Sequence, residues 1–164
     1  AITITDLLVR AGADVITVGL DDQPVIASRG IRLIPDTTID AVFNDAFDLI
    51  VLPGGLPGAN HLRDDPRLQA LLKQQAANNK LIAAICAAPR ALAAAGLLEG
   101  KQITCYPGSL AEYPQLSPNS TAIEIDDKVI TSRGPGTAMD FALTLIEQLE
   151  GREKRDEIEQ QLAR

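Results

Sequence analysis

Apolar positions recur along this chain in two rhythms, one helical and one strand-like. In "AITITDLLVRAG" Ile4, Leu7, Leu8 and Ala11 fall at helical spacing, and Gly12 stands where a helix stops. "DVITVGL" (14–20) is rich in β-branched residues and predicts a strand ending at the acidic turn "DDQP". "VIASRG" and "IRLIPD" predict two short strands in an antiparallel excursion. "FDLIVLPGG" (47–55) is a continuous apolar run closed by Pro-Gly-Gly, the pattern of a strand buried on both faces. Residues 65–79 predict an amphipathic helix with Pro66 in its first turn and Asn residues at its end. "KLIAAI" predicts a second buried strand, which feeds an Ala-rich helix closing at Gly96.

Beyond that helix, "QITCYP" predicts a short strand before a polar loop, and "TAIEID" with "KVITS" predicts a hairpin. Residues 136–151 predict a strong amphipathic helix, with Ala138, Phe141, Ala142, Leu145 and Leu149 on its apolar side. "REKRDEIEQQLAR" predicts a charged terminal helix with a solvated face. Strands alternate with helices, which favours an α/β fold with a parallel sheet covered on both faces. No internal repeat, low-complexity tract or linker interrupts the pattern, so residues 1–164 are expected to form a single domain.

Composition narrows this picture. Hydrophobic residues make up 46% of the chain and aromatic residues only 3%, so the core must be built from Ala, Leu, Ile and Val. A formal net charge of −7 argues against direct nucleic-acid binding and against an anionic membrane surface, both of which favour a basic protein. No apolar run approaches a membrane span. Two cysteines, Cys86 and Cys105, are too few for a disulfide framework and suit reduced thiols in a cytoplasm.

In open α/β sheets, ligands bind where strands lead into helices. "LPGGLPGAN", "AICAAP" and "TSRGPGT" are the segments that qualify, and their small residues let backbone N–H groups approach a ligand. Cys86 is the reactive candidate. Between a buried strand and a helix start it would occupy a tight turn, where the helix's unpaired N–H groups would stabilise a thiolate. A small buried hydrophobe is the competing reading, since free cysteines are most often that. Gly54 and Gly55 could offer a backbone N–H to the same spot, completing an oxyanion hole with that of Ala87, although taken alone they read as an ordinary Gly-rich loop. The glycine spacing fits neither a phosphate loop nor a dinucleotide fingerprint. His61, the sole histidine, cannot build a metal site and reads as a surface residue, with a catalytic-base role as the alternative. Cys105 reads as a packed core thiol, with a resolving role toward Cys86 as the alternative. Arg10, Arg29 and Arg133 could bind an anion, bridge a subunit interface, or pair ordinarily at the surface.

"DLIVLPGG", "LIAAICAAP", "TSRGPGT" and "LEGREK", in this order, closely resemble the ThiJ/PfpI superfamily. Within it they are similar to the Parkinsonism-associated deglycase branch and its YajL-like bacterial members. The resemblance runs over essentially the whole chain. It implies a flavodoxin-like three-layer α/β sandwich, like that of class I glutamine amidotransferases, and a homodimer. By position, Cys86 matches the family's oxidisable nucleophile, and Gly55 and Ala87 the donors beside it. Arg10 and Arg29 match arginines near the site and the dimer interface. Ser132, Arg133, Gly134 and Pro135 match its strand-end loop. The implied activity is cofactor-free conversion of methylglyoxal to lactate, or deglycation of early glyoxal adducts on protein or nucleotide. A role as a redox sensor or holdase through oxidation of Cys86 is the alternative. No metal or cofactor is implied.

Two departures from the family pattern stand out. Its glutamate partner to the cysteine would precede Ala1, and the first strand with it, so a separate N-terminal segment is an expected partner. Tyr106 stands where part of the family has histidine, and Ala87 where its proteases have histidine after the cysteine, which argues against proteolysis.

Overall fold

The computed structural model describes residues 1–163. In chain order the elements are α1 (Ile2–Arg10), β1 (Val18–Gly19), β2 (Val25–Ile26), β3 (Arg32–Leu33), β4 (Thr37–Thr38) and α2 (Ile39–Val42). These are followed by β5 (Leu49–Leu52), α3 (Gly58–Asp64), α4 (Pro66–Ala77), β6 (Leu81–Ile85) and α5 (Pro89–Ala94). The chain ends with β7 (Ile123–Asp126), β8 (Val129–Ser132), a 3-10 turn (Pro135–Thr137), α6 (Ala138–Glu150) and α7 (Arg152–Gln161). The elements fall into two compact units, one of residues 1–15 with 136–163 and one of residues 16–135.

The first unit is helical. α1 buries Ile4, Leu7 and Leu8 and stops at Gly12, whose φ of 89° suits a residue without a β-carbon. α6 buries Phe141, Ala142, Leu143, Leu145 and Ile146, each large side chain contributing about 1.5–3 kcal/mol by leaving water. α1 and α7 both pack against α6. α7 is only in part the solvated face expected: Ile158 is fully buried, and Lys154, Arg155, Asp156 and Glu159 are half-buried.

The second unit is built on a four-stranded sheet in the order β5-β6-β8-β7. β5, β6 and β8 run parallel, and β7 closes the edge as the antiparallel hairpin partner of β8. Central β6 is "LIAAI", and every one of its residues is buried, as its unbroken apolar run predicts. The core around it is aliphatic, with Ile39, Leu72, Ile82, Leu92, Leu98 and Ile103 nearly inaccessible. α4 starts where Asp65 accepts from the N–H groups of Arg67 and Leu68, at 2.9 and 3.2 Å. The Arg67 guanidinium hydrogen-bonded to Asp65 also holds that carboxyl below its usual range.

The structure corrects three expected elements. The strand predicted over 14–20 shrinks to β1, which pairs in parallel with β4. The neighbouring backbone is tied by side chains instead, because Thr17 donates its N–H and its hydroxyl to the Asp36 carboxylate at 2.8 and 2.6 Å. β5 is only half-buried over three of its four residues, being the edge of its sheet. "QITCYP" holds an isolated bridge between Thr104 and Asn119 in place of a strand. Its hydrogen bonds scatter: Thr104 N–H goes to the Thr131 hydroxyl and Tyr106 N–H to the Cys86 carbonyl.

β2 and β3 form the expected antiparallel excursion, Val25 opposite Leu33 and Ile26 opposite Arg32. It leaves Val25, Ile26, Ile31 and Ile34 exposed, the last by 80%. Among the described residues no helix is long and apolar enough to cross a membrane, and no acidic, His and Cys cluster is arranged to hold a metal.

Candidate active site

Three parallel strands end side by side, and each hands the chain to a segment of small residues, as the location of ligands in open α/β sheets requires. β6 ends at Ile85, opposite Ser132 of β8. The next residue, Cys86, has φ of 65°, a left-handed conformation that a β-carbon makes unfavourable by about 1–2 kcal/mol. Two backbone bonds hold it there. Its N–H donates to the Ser132 carbonyl at 2.9 Å, and its own carbonyl accepts the Tyr106 N–H at 2.8 Å. α5 then begins at Pro89, giving the strand–turn–helix form of a nucleophile elbow. Ile85, Ala87 and Ala88 are buried, and Cys86 between them is half-exposed.

The Gly-Gly turn after β5 fits against this elbow. A β-carbon on Gly54 would lie 2.5 Å from the Cys86 Cβ and 2.7 Å from the Ile85 carbonyl oxygen, so only glycine is tolerated. Gly55 has φ of 98°, and a β-carbon there would meet the Ser28 hydroxyl at 3.1 Å. The tip of the β2–β3 excursion therefore rests on the Gly55 turn. Among the described residues neither the Gly55 nor the Ala87 N–H donates to a backbone carbonyl.

The other predicted residues divide. The Tyr106 ring, 51% exposed, comes within 3.4 Å of a β-carbon built on Gly134, so it borders the "TSRGPGT" loop. Ser132 is buried, with its hydroxyl donating to the Ala122 carbonyl at 3.2 Å. Arg133 is half-buried, its N–H bonded to the same carbonyl at 3.0 Å, and exposed Pro135 opens the 3-10 turn. Arg29 is exposed in the excursion beside Ser28. Arg10 lies in the helical unit, where its Nε pairs with Asp6 at 2.9 Å. His61 is exposed on α3.

Cys105 is buried, and burial pushes its thiol up from the usual cysteine range. A hydrogen bond from Leu110 and the charges of Arg133 and Arg90 act in the opposite direction.

Sequence reasoning passed over Arg90, Asn60 and Ser109. The Arg90 guanidinium donates through Nη1 to the Asn60 side-chain oxygen and through Nη2 to the Ser109 carbonyl, the latter at 3.2 Å. The signal that could have found it is a lone charge in the run "AAPRALAAAGLL", where every other residue is apolar or small.

Chemically, a half-buried thiol next to the Ala87 N–H, which donates to no backbone carbonyl among the described residues, can attack an electrophilic carbon and stabilise the oxyanion that forms. The family model described as DJ-1/PfpI family matches residues 1–148. The chain is similar to protein DJ-1 homolog B of Arabidopsis thaliana, 44% identical over 96% of this chain and 37% of that protein. The chain thus spans well under half the length of that relative, and 41% of the similar Arabidopsis DJ-1 homolog A. It is likewise similar to glutathione-independent glyoxalase DJR-1.2 of Caenorhabditis elegans, 41% identical over 93% of this chain and 82% of that one. Among solved structures, oxidized Toxoplasma gondii DJ-1 superposes with a TM-score of 0.93 at 41% identity, covering 99% of this chain and 89% of that one. A match of this extent means that the chain belongs to the DJ-1/PfpI family and has its flavodoxin-like α/β fold.

Proposed function

We propose that this protein converts methylglyoxal or glyoxal, or their early glycation adducts, by covalent catalysis at Cys86. The observation that supports the reading is the elbow itself: a half-buried Cys86 at positive φ, with the glycine turn after β5 packed on it through Gly54. The glyoxalase activity in the name of the nematode relative supports it. In the first step the Cys86 sulfur bonds to the aldehyde carbon, and the carbonyl oxygen takes up a proton to give a hemithioacetal. The Gly55 and Ala87 N–H groups stabilise the oxyanion that precedes that protonation. A general base then removes the proton from the former aldehyde carbon, and the neighbouring carbon receives one, leaving a lactoyl thioester. Water cleaves the thioester, releasing lactate and the thiol. The sum is methylglyoxal plus water giving lactate, an internal redox exchange that needs no external cofactor. No residue of this chain is assigned the acid/base role.

The test is lactate production from methylglyoxal by the protein and by its Cys86→Ser variant; equal rates would overturn the nucleophile assignment. The working unit in this reading is a homodimer, which sedimentation equilibrium checks. A second reading, a non-enzymatic redox sensor or holdase, is favoured by the half-exposure of Cys86 and by the oxidized state named for the Toxoplasma relative. In it, two equivalents of peroxide carry the thiol to sulfinic acid and leave as water. Mass spectrometry finding two oxygens added at Cys86, together with no dicarbonyl turnover, would select this second reading.

A further inference from the structure

Three stretches of chain meet at Cys86, and one side chain ties them together. They are the Gly54–Gly55 turn leading into α3, the elbow leading into α5, and the loop that starts at Tyr106. Arg90 lies one helical turn past Cys86. Its Nη1 donates to Asn60, five residues beyond Gly55, and its Nη2 donates to the carbonyl of Ser109, three residues beyond Tyr106. From Ser109 the connection returns to the thiol's own residue: Ser109 N–H donates to the Tyr106 carbonyl at 2.9 Å, and Tyr106 N–H to the Cys86 carbonyl at 2.8 Å. Arg63 adds a second tie between α3 and the same loop, through Glu112 at 2.8 Å.

We propose that Arg90 is a positioning residue of the Cys86 site, acting as a forked latch that fixes the Gly55 donor, the elbow and Tyr106 in one register. The inference rests on the reading of Cys86 as the reacting thiol. Packing alone does not account for a guanidinium here, because its Nε is enclosed with no hydrogen-bond partner. Methionine would fill such a space without leaving a donor unpaired. What a guanidinium supplies is a planar fork that fixes the angle between two acceptors, which a lysine ammonium does not.

The test compares Arg90→Met, which keeps the bulk, and Arg90→Lys, which keeps the charge, with Asn60→Ala and the double variant Arg90→Met/Asn60→Ala. Two readouts are taken: kcat and KM with methylglyoxal, and the rate of Cys86 alkylation by iodoacetamide followed by mass spectrometry. A latch predicts that Arg90→Met lowers kcat about tenfold while KM stays within about threefold, since sub-ångström misplacement acts on the reacting geometry. It predicts altered Cys86 alkylation in the same variant, little recovery in Arg90→Lys, and a double variant no worse than Arg90→Met. Wild-type kcat and alkylation in Arg90→Met, or full activity in Arg90→Lys, would overturn it, whatever happens to the melting temperature. If Arg90→Met does not fold, Arg90→Lys and Asn60→Ala carry the same comparison. A wild-type protein that makes no lactate, with alkylation still changed by Arg90→Met, would sink the enzyme reading and keep the latch. Normal wild-type turnover with an unaffected Arg90→Met would do the reverse.

Discussion

Cys86 and Cys105 sit in adjoining segments, joined through the Tyr106 N–H bond to the Cys86 carbonyl, yet the protein treats them oppositely. Cys86 is half-buried and held in a left-handed conformation, with Gly54 packed against it at a distance no side chain would allow. Cys105 is buried in the aliphatic core, and burial favours its neutral thiol. The same functional group thus sits on a strained, half-buried turn at one position and in the packed core at the other. What separates them is the backbone and the access around them.

The sharpest way to break this comparison is to replace each sulfur. Cys86→Ser should lower lactate formation by about 10³-fold or more, as loss of a covalent nucleophile does, whereas Cys105→Ala should stay within about twofold. Next in size is Gly54→Ala. Its β-carbon would collide with Cys86 Cβ and the Ile85 carbonyl, so urea titration should find a loss of about 1–3 kcal/mol together with most of the turnover. A smaller effect separates the two backbones. Cys86→Gly should be more stable than Cys86→Ala by about 1 kcal/mol, because glycine relieves the positive φ, while at position 105 the order should reverse.

The smallest effect is in pH. Burial raises the folded-state pKa of Cys105 above its unfolded value, so the folded protein keeps that proton while the unfolded chain gives it up. Unfolding is therefore favoured as pH climbs past the ordinary cysteine range, and the stabilisation present below it is lost up to the folded pKa. Urea midpoints of the wild type should accordingly fall faster between pH 8 and 10, on the order of the ordinary cysteine pKa, than those of Cys105→Ala.

Much of this contrast was legible in the sequence. The unbroken apolar run of β6, followed at once by Ala and Pro, placed Cys86 on a turn, and "PGG" placed a glycine pair at the neighbouring strand end. The β2–β3 and β7–β8 hairpins and helices α1, α4, α6 and α7 follow from period and turn residues. Strand length was less legible where side chains, and not neighbouring strands, satisfy the backbone, as Thr17 with Asp36 and Thr104 with Thr131. Burial of β5 was misjudged because an apolar run does not reveal whether the strand lies at a sheet's edge. Arg90 could not be placed, since its partners are 30 residues before and 19 after it, a separation no local pattern encodes.

The Cys86 N–H bond to the Ser132 carbonyl continues the β6–β8 ladder by one rung, directly after a strand with no accessible residue. Cys86 therefore shares the fate of the buried strand it follows. Its amide should exchange with deuterated solvent only through the large-scale opening that frees β6, in contrast to the amides of the exposed β2–β3 tip. A residue anchored in this way has no private motion at its α-carbon, so any adjustment around its thiol falls to the surrounding loops.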